Sequence, residues 1–226
     1  MIERPAAISV SHRLFCGLVF LIAAQYANDA HAQLRQPIGH YVADARITFA
    51  RFKEDPGIAA AIGVQPANLP TRGLGIVVGA HWYALRGNRV VLGLGAEFLS
   101  ARDHRTLPSA RQDEEDGQDA PTVETRMSSF APQLSLNFGK RDGWSYISGG
   151  MGSASFTAER VDEPVGEGSG ARTINYGGGA RWFTNKHVAV SIDLRFYSIA
   201  AQPETVTRPA FPETKMMVIS GGIAFR

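Results

Sequence analysis

The chain has 226 residues, 44% of them hydrophobic and 19% charged, with a formal net charge of +2 at pH 7. No basic cluster accompanies that small excess, so a nucleic-acid partner held through phosphate contacts is not expected. Its single cysteine, Cys16, excludes an internal disulfide framework.

Residues 1–32 read as a cleaved signal peptide. Arg4 and Arg13 precede an apolar run from Leu14 to Ala24, and Ala30-His31-Ala32 supplies a small-residue cleavage pattern. The run is far shorter than the roughly 20 residues a spanning helix needs. Bulky Phe15 stands before Cys16 where a lipidated cysteine wants a small neighbour, so a lipoprotein is not expected. Cleavage after Ala32 leaves 226 − 32 = 194 residues, enough for one domain and without a thiol. Glu3 and Asp29 cancel Arg4 and Arg13, so the mature charge is unchanged.

Residues 33–40 form a polar periplasmic lead-in, and residues 41–226 the domain. No mature segment is apolar for long enough to make a spanning helix, and no helical period is sustained. Instead, residues alternate in eight runs broken by turn residues. The first, 41–52, sets Ala43, Ala45, Ile47 and Phe49 against Asp44, Arg46, Thr48 and Ala50. A Pro- and Ala-rich connection, 53–72, follows, with a helical turn predicted over 57–64. The second run, 73–85, opposes Leu74, Ile76, Val78 and Trp82 to Val77, Gly79, His81 and Tyr83. Arg86-Gly87-Asn88 turns into the third, 89–100, where Val90, Leu92, Leu94 and Phe98 oppose Val91, Gly93, Gly95 and Glu97.

Residues 101–125 are expected to form a long acidic loop containing Asp113-Glu114-Glu115-Asp116. The fourth run, 126–139, sets Phe130, Pro132, Leu134, Leu136 and Phe138 against Ala131, Gln133, Ser135 and Asn137. The fifth, 144–159, mixes Gly, Ser and apolar residues on both sides, and its facing stays open. After a glycine-rich connection, 161–170, come Ile174 to Trp182 and Val188 to Tyr197, parted by Asn185-Lys186-His187. In this hairpin Ile174, Tyr176, Trp182, Val190, Ile192, Leu194 and Phe196 share one side; Arg181, Ser191, Asp193 and Arg195 share the other. A Pro-rich connection, 201–213, leads to the eighth run, 214–226, ending on Phe225 and Arg226.

The connections alternate long and short, so a meander gathers every short turn at one end and every long loop at the other. The predicted fold is all-β: an eight-stranded antiparallel up-and-down transmembrane β-barrel with short periplasmic turns and long external loops. A soluble calycin-like barrel would reverse the facing, with an apolar interior and a wet exterior. Against it, the face bearing Asp44, Arg46, Glu97, Arg181, Asp193 and Arg195 is otherwise small or polar. The opposite face is nearly uncharged, with aromatics at strand ends: Trp82, Phe138, Trp182 and Phe225 towards the short turns, and Phe98, Phe130 and Phe196 towards the long loops.

The segment NYGGGARWFTNKHVAVSIDLRFYSI resembles the signature hairpin of the bacterial outer-membrane β-barrel domain family, whose small members resemble the OmpA transmembrane domain. The final run MMVISGGIAFR is similar to that family's closing strand. The resemblance implies export to the cell outer membrane and two partners: outer-membrane lipids and, through the C-terminal strand, the barrel assembly machinery. A monomer is expected. Two departures stand out: Arg226 follows the terminal aromatic, and no second domain for peptidoglycan attachment is expected.

The inward charges are read either as an ion-selective passage or as a plug of salt bridges; an eight-stranded barrel is just wide enough for side chains to fill. The acidic loop carries seven carboxylates from Asp103 to Glu124 but matches no calcium loop. His40, His81, His104 and His187 share no metal-ligand spacing, and His81 is expected to be a lumen hydrogen-bonding residue. No nucleophile elbow or phosphate loop occurs, and neither a cofactor nor catalysis is expected. The functions left open are a structural or surface-interaction barrel displaying its long loops, a narrow channel for ions or small molecules, and a lipid-acting enzyme.

Overall fold

The computed structural model describes residues 39–87, 90–107, 121–140, 143–162, 170–204 and 210–226. The predicted signal segment 1–32, most of the lead-in and Asp113-Glu114-Glu115-Asp116 lie outside them. Eight strands run β1 Tyr41–Arg51, β2 Arg72–Arg86, β3 Val90–Thr106, β4 Thr122–Lys140, β5 Gly143–Arg160, β6 Ala171–Phe183, β7 Val188–Ile199 and β8 Thr214–Phe225. Each pairs antiparallel with its neighbours in sequence, and β1 closes on β8, so the sheet has no open seam. Among the described residues no helix is long and apolar enough to cross a membrane.

Period-two alternation sets the facing of the strands, interrupted in β2 by an irregularity between Trp82 and Leu85. In β1 each odd residue is exposed and each even one buried. Ile47 therefore looks outward while Asp44 and Arg46 look into the bore. The short connection after β6 is fixed by Asn185, whose Oδ1 accepts from the backbone N–H of His187 and Val188 at 2.8 and 2.9 Å.

The structure differs from the sequence reading at the acidic segment. Strand β3 continues to Thr106 and β4 begins at Thr122, with Asp103 opposite Thr125 and His104 opposite Glu124. The inward alternation simply persists: Val123, Thr125 and Met127 are buried between Glu124 and Arg126. The outward charges concealed that pattern. At 17, 19 and 18 residues, β3, β4 and β5 outrun the 11 to 13 of β1, β6, β7 and β8. One side of the wall therefore projects at the long-loop end.

The connection from β1 to β2 holds helix α1 Pro56–Ala61 and a 3-10 turn Pro66–Asn68. Asp55 caps α1 by accepting from Gly57 N–H at 2.8 Å, and Pro56 fits the first turn, where its missing N–H is not needed. Gly63, at φ +68°, ends the segment in the left-handed region glycine tolerates. The predicted helical turn lay slightly later, at 57–64.

Candidate functional site

The bore contains three layers. The middle one brings together the six charged residues singled out from the sequence, each no more than 5% exposed. Arg46 is the hub: its Nε donates to Asp44 Oδ1 at 2.8 Å, Nη2 pairs with Glu97 Oε2, and Nη1 lies 3.2 Å from Asp193 Oδ1. Arg195 bridges Glu97 and Asp193, both at 3.2 Å. Arg181 donates to the remaining oxygen of Asp44 at 2.7 Å and stacks over the Tyr146 ring. Three arginines thus meet three carboxylates, so the network carries no net formal charge. Such burial is tolerable only when charges are paired and their remaining hydrogen-bonding groups satisfied.

Neutral side chains supply further bonds. Tyr146 donates its hydroxyl proton to Asp193 at 2.7 Å, and Tyr197 donates to Glu97 at 2.9 Å. Arg195 also donates to Gln133, Asn175 and Ser148 at 2.9, 3.0 and 2.7 Å. Sequence reasoning did not assign these partners. Tyr197 and Gln133 stood on faces opposite the oily ones, which was the available signal; Tyr146 and Ser148 belong to the run whose facing stayed open. Strand β5 in fact turns Trp144, Tyr146 and Ser148 inward, and Ile147 and Met151 outward. A Cβ at Gly179 would meet the Tyr146 hydroxyl at 2.7 Å, so this glycine leaves room for the bond.

His81 departs from expectation. It is buried, yet neither ring nitrogen has a hydrogen-bond partner among the described residues. Its cross-strand neighbours are Val42 and Gly95, whose side chains offer no acceptor.

Apolar layers close both sides of the network. At the long-loop end Phe52, Ile58, Leu69 and Phe211, all from connections, are buried with Phe156, Met127 and Met216. Phe156 meets Phe52 and Phe211 edge-on, at 5.9 and 6.2 Å. Helix α1 and its flanks are therefore a lid seated in the barrel mouth. At the short-turn end Tyr83, Trp144 and Phe183 pack together. Arg226 covers them, its guanidinium 3.8 Å from the Phe183 ring centre and its Nε donating to Lys186 O at 2.9 Å. Arg226, which follows the outward aromatic Phe225, is thus a cap.

Outside, Trp82, Phe98, Phe130, Phe138, Trp182, Phe196 and Phe225 all project from the wall, between 38% and 58% exposed. Phe98 lies directly opposite Phe130, and Phe196 stacks on Tyr176 at 5.6 Å. Ile47, Ile76, Leu134, Ile192 and Ile223 fill the band between the two ends. A closed barrel with its charges inside and its apolar side chains outside inverts the arrangement of a soluble barrel.

No protein-family model matches the chain, and no curated relative is found. Among solved structures it is similar to Neisserial surface protein A, with 9% identity and a TM-score of 0.52 over 83% of this chain and 97% of that one. The fold is that of the small outer-membrane barrels. Looser likenesses include Ail of Yersinia pestis, with 13% identity and a TM-score of 0.46 over 83% of this chain and 99% of that one. Another is the outer-membrane protease OmpT of Escherichia coli, with 10% identity and a TM-score of 0.45 over 86% and 99%.

Proposed function

We propose that the protein is an integral outer-membrane barrel with a structural or surface-interaction role: a plugged scaffold that displays the connections 53–71, 107–121, 161–170 and 200–213 outside the cell. The observation that carries this reading is the bore, where a neutral salt-bridge layer lies between two apolar layers. Ions crossing it would have to displace buried, mutually paired charges at a cost of several kcal/mol. The outward aliphatic band supports lipid as its solvent. The short-turn end then faces the periplasm, and β8, which seals the barrel against β1, is the strand offered to the assembly machinery. No catalytic role is assigned to the bore, since Asp44, Glu97 and Asp193 are each engaged by arginines.

The test is twofold. Unboiled protein from the outer-membrane fraction should migrate differently from boiled protein in SDS gels, as a closed barrel resists the detergent. In planar bilayers the folded form should be electrically silent. Stable single-channel steps altered by Glu97→Gln or Arg195→Gln would replace the plugged scaffold with the channel reading.

A further inference from the structure

The register of the wall sets like charges face to face. Arg51 of β1 lies directly opposite Arg72 of β2, and Arg102 of β3 directly opposite Arg126 of β4. All four are exposed and follow the outward parity of their strands. Arg102 faces Leu74, two residues along from Arg72, so the four form one arc over four adjacent strands. Directly opposed like charges destabilise a sheet, and here two such pairs adjoin.

Carboxylates relieve the conflict only in part, through Glu124, which pairs with Arg126 and lies within the field of Arg102. Arg126 is held by a two-pronged contact with Glu124, at 2.7 and 2.6 Å. Arg51, Arg72 and Arg102 form no ion pair among the described residues. Asp103, the nearest acidic candidate in sequence, accepts instead from the backbone N–H of Arg72 at 3.0 Å.

The arc sits at a boundary. Two residues nearer mid-barrel, Phe49 and Leu74 continue the outward apolar band on the same strands. Guanidinium forks bind phosphate oxygens two at a time, and adjacent forks suit a group carrying several phosphates. We propose that Arg51, Arg72 and Arg102 bind the headgroup of a multiply phosphorylated lipid in the outer leaflet, with its acyl chains lying along Phe49 and Leu74. The inference rests on the membrane reading above. A free phosphate would satisfy the arginines alone; a lipid satisfies the arginines and the apolar surface beneath them.

The experiment uses full-length barrel in phosphatidylcholine vesicles with or without a bisphosphorylated glucosamine-disaccharide lipid, and with that lipid's dephosphorylated counterpart. Native mass spectrometry reads lipid retention, and a urea midpoint reads stability. Wild type should retain the bisphosphorylated lipid and gain stability from it, whereas the dephosphorylated form should do neither. Arg51→Gln/Arg72→Gln/Arg102→Gln should retain it at least roughly tenfold less well. The same variant should equal or exceed wild type in pure phosphatidylcholine, because the opposed charges are gone. Arg86→Gln/Lys186→Gln, which removes charge at the short-turn end, should behave as wild type. Equal retention by the arginine variant, retention of the dephosphorylated lipid, or displacement by inorganic phosphate would overturn the proposal. A wild-type protein that inserts with a heat-dependent gel shift but shows no lipid preference removes this site alone; one that never inserts removes the membrane reading too.

Discussion

At the scale of single residues, the bore depends on pairing more than on any one contact. Arg46 serves three carboxylates through different nitrogens, so its removal strands Asp44, Glu97 and Asp193 together. Arg46→Met should lower folding stability by about 3–5 kcal/mol, the cost of breaking a buried pair from one side. Glu97→Gln keeps an acceptor for Tyr197 and Arg195 and should cost less. Both are measured as urea midpoints of the heat-modifiable form. Equal, small effects from both would mean that the network is wetter and looser than its geometry indicates. Arg226→Ala at the short-turn end should cost only about 0.5–1 kcal/mol, because its contact with the Phe183 ring is a cation–π interaction near solvent.

At the scale of elements, β7 offers the sharpest test of facing. Ile192 and Leu194 point outward while Asp193 points into the bore. Ile192→Arg near mid-membrane should cost about 2–4 kcal/mol if that surface meets lipid. Free acceptance of the charge, read by the same urea midpoints in vesicles, would turn the barrel inside out. The hairpin of β6 and β7 was legible because every second residue is apolar and its turn holds an Asx-forming Asn185. Strand β5 was opaque for a physical reason: Gly149, Gly150 and Gly152 erase the size contrast between its faces, so only the paired neighbours show that Tyr146 turns inward. The ends of β3 and β4 were mistaken for loop because charged side chains such as Arg102 and Glu124 sit on the outward side of strands whose inward residues remain buried. The lid was hidden more deeply. That Phe52, Ile58, Leu69 and Phe211 meet in the mouth depends on three-dimensional closure, which no local pattern encodes.

At the scale of the whole molecule, the three layers make an argument about access. Among the described residues, the charge layer lies behind the lid at the long-loop end and behind Tyr83, Trp144, Phe183 and Arg226 at the short-turn end. The sole cysteine of the chain lies in the predicted signal segment, so a thiol introduced into the barrel would be a clean reporter. Ser220 suits it: the residue is buried beside Arg46, and its hydrogen bond to that arginine is long, at 3.4 Å, so exchanging oxygen for sulfur should disturb little. In folded protein, Ser220→Cys should react with a membrane-impermeant maleimide roughly 100-fold more slowly than Thr184→Cys on a short turn, equivalent to a local opening of about 3 kcal/mol. Adding Phe52→Ala and Ile58→Ala loosens the lid without touching the salt bridges. Labelling from the long-loop side should then accelerate, while labelling from the short-turn side should not. Acceleration from both sides would mean that the layers open together as one unit, whereas fast labelling without the lid substitutions would mean that the bore is an open passage and the plugged scaffold is wrong.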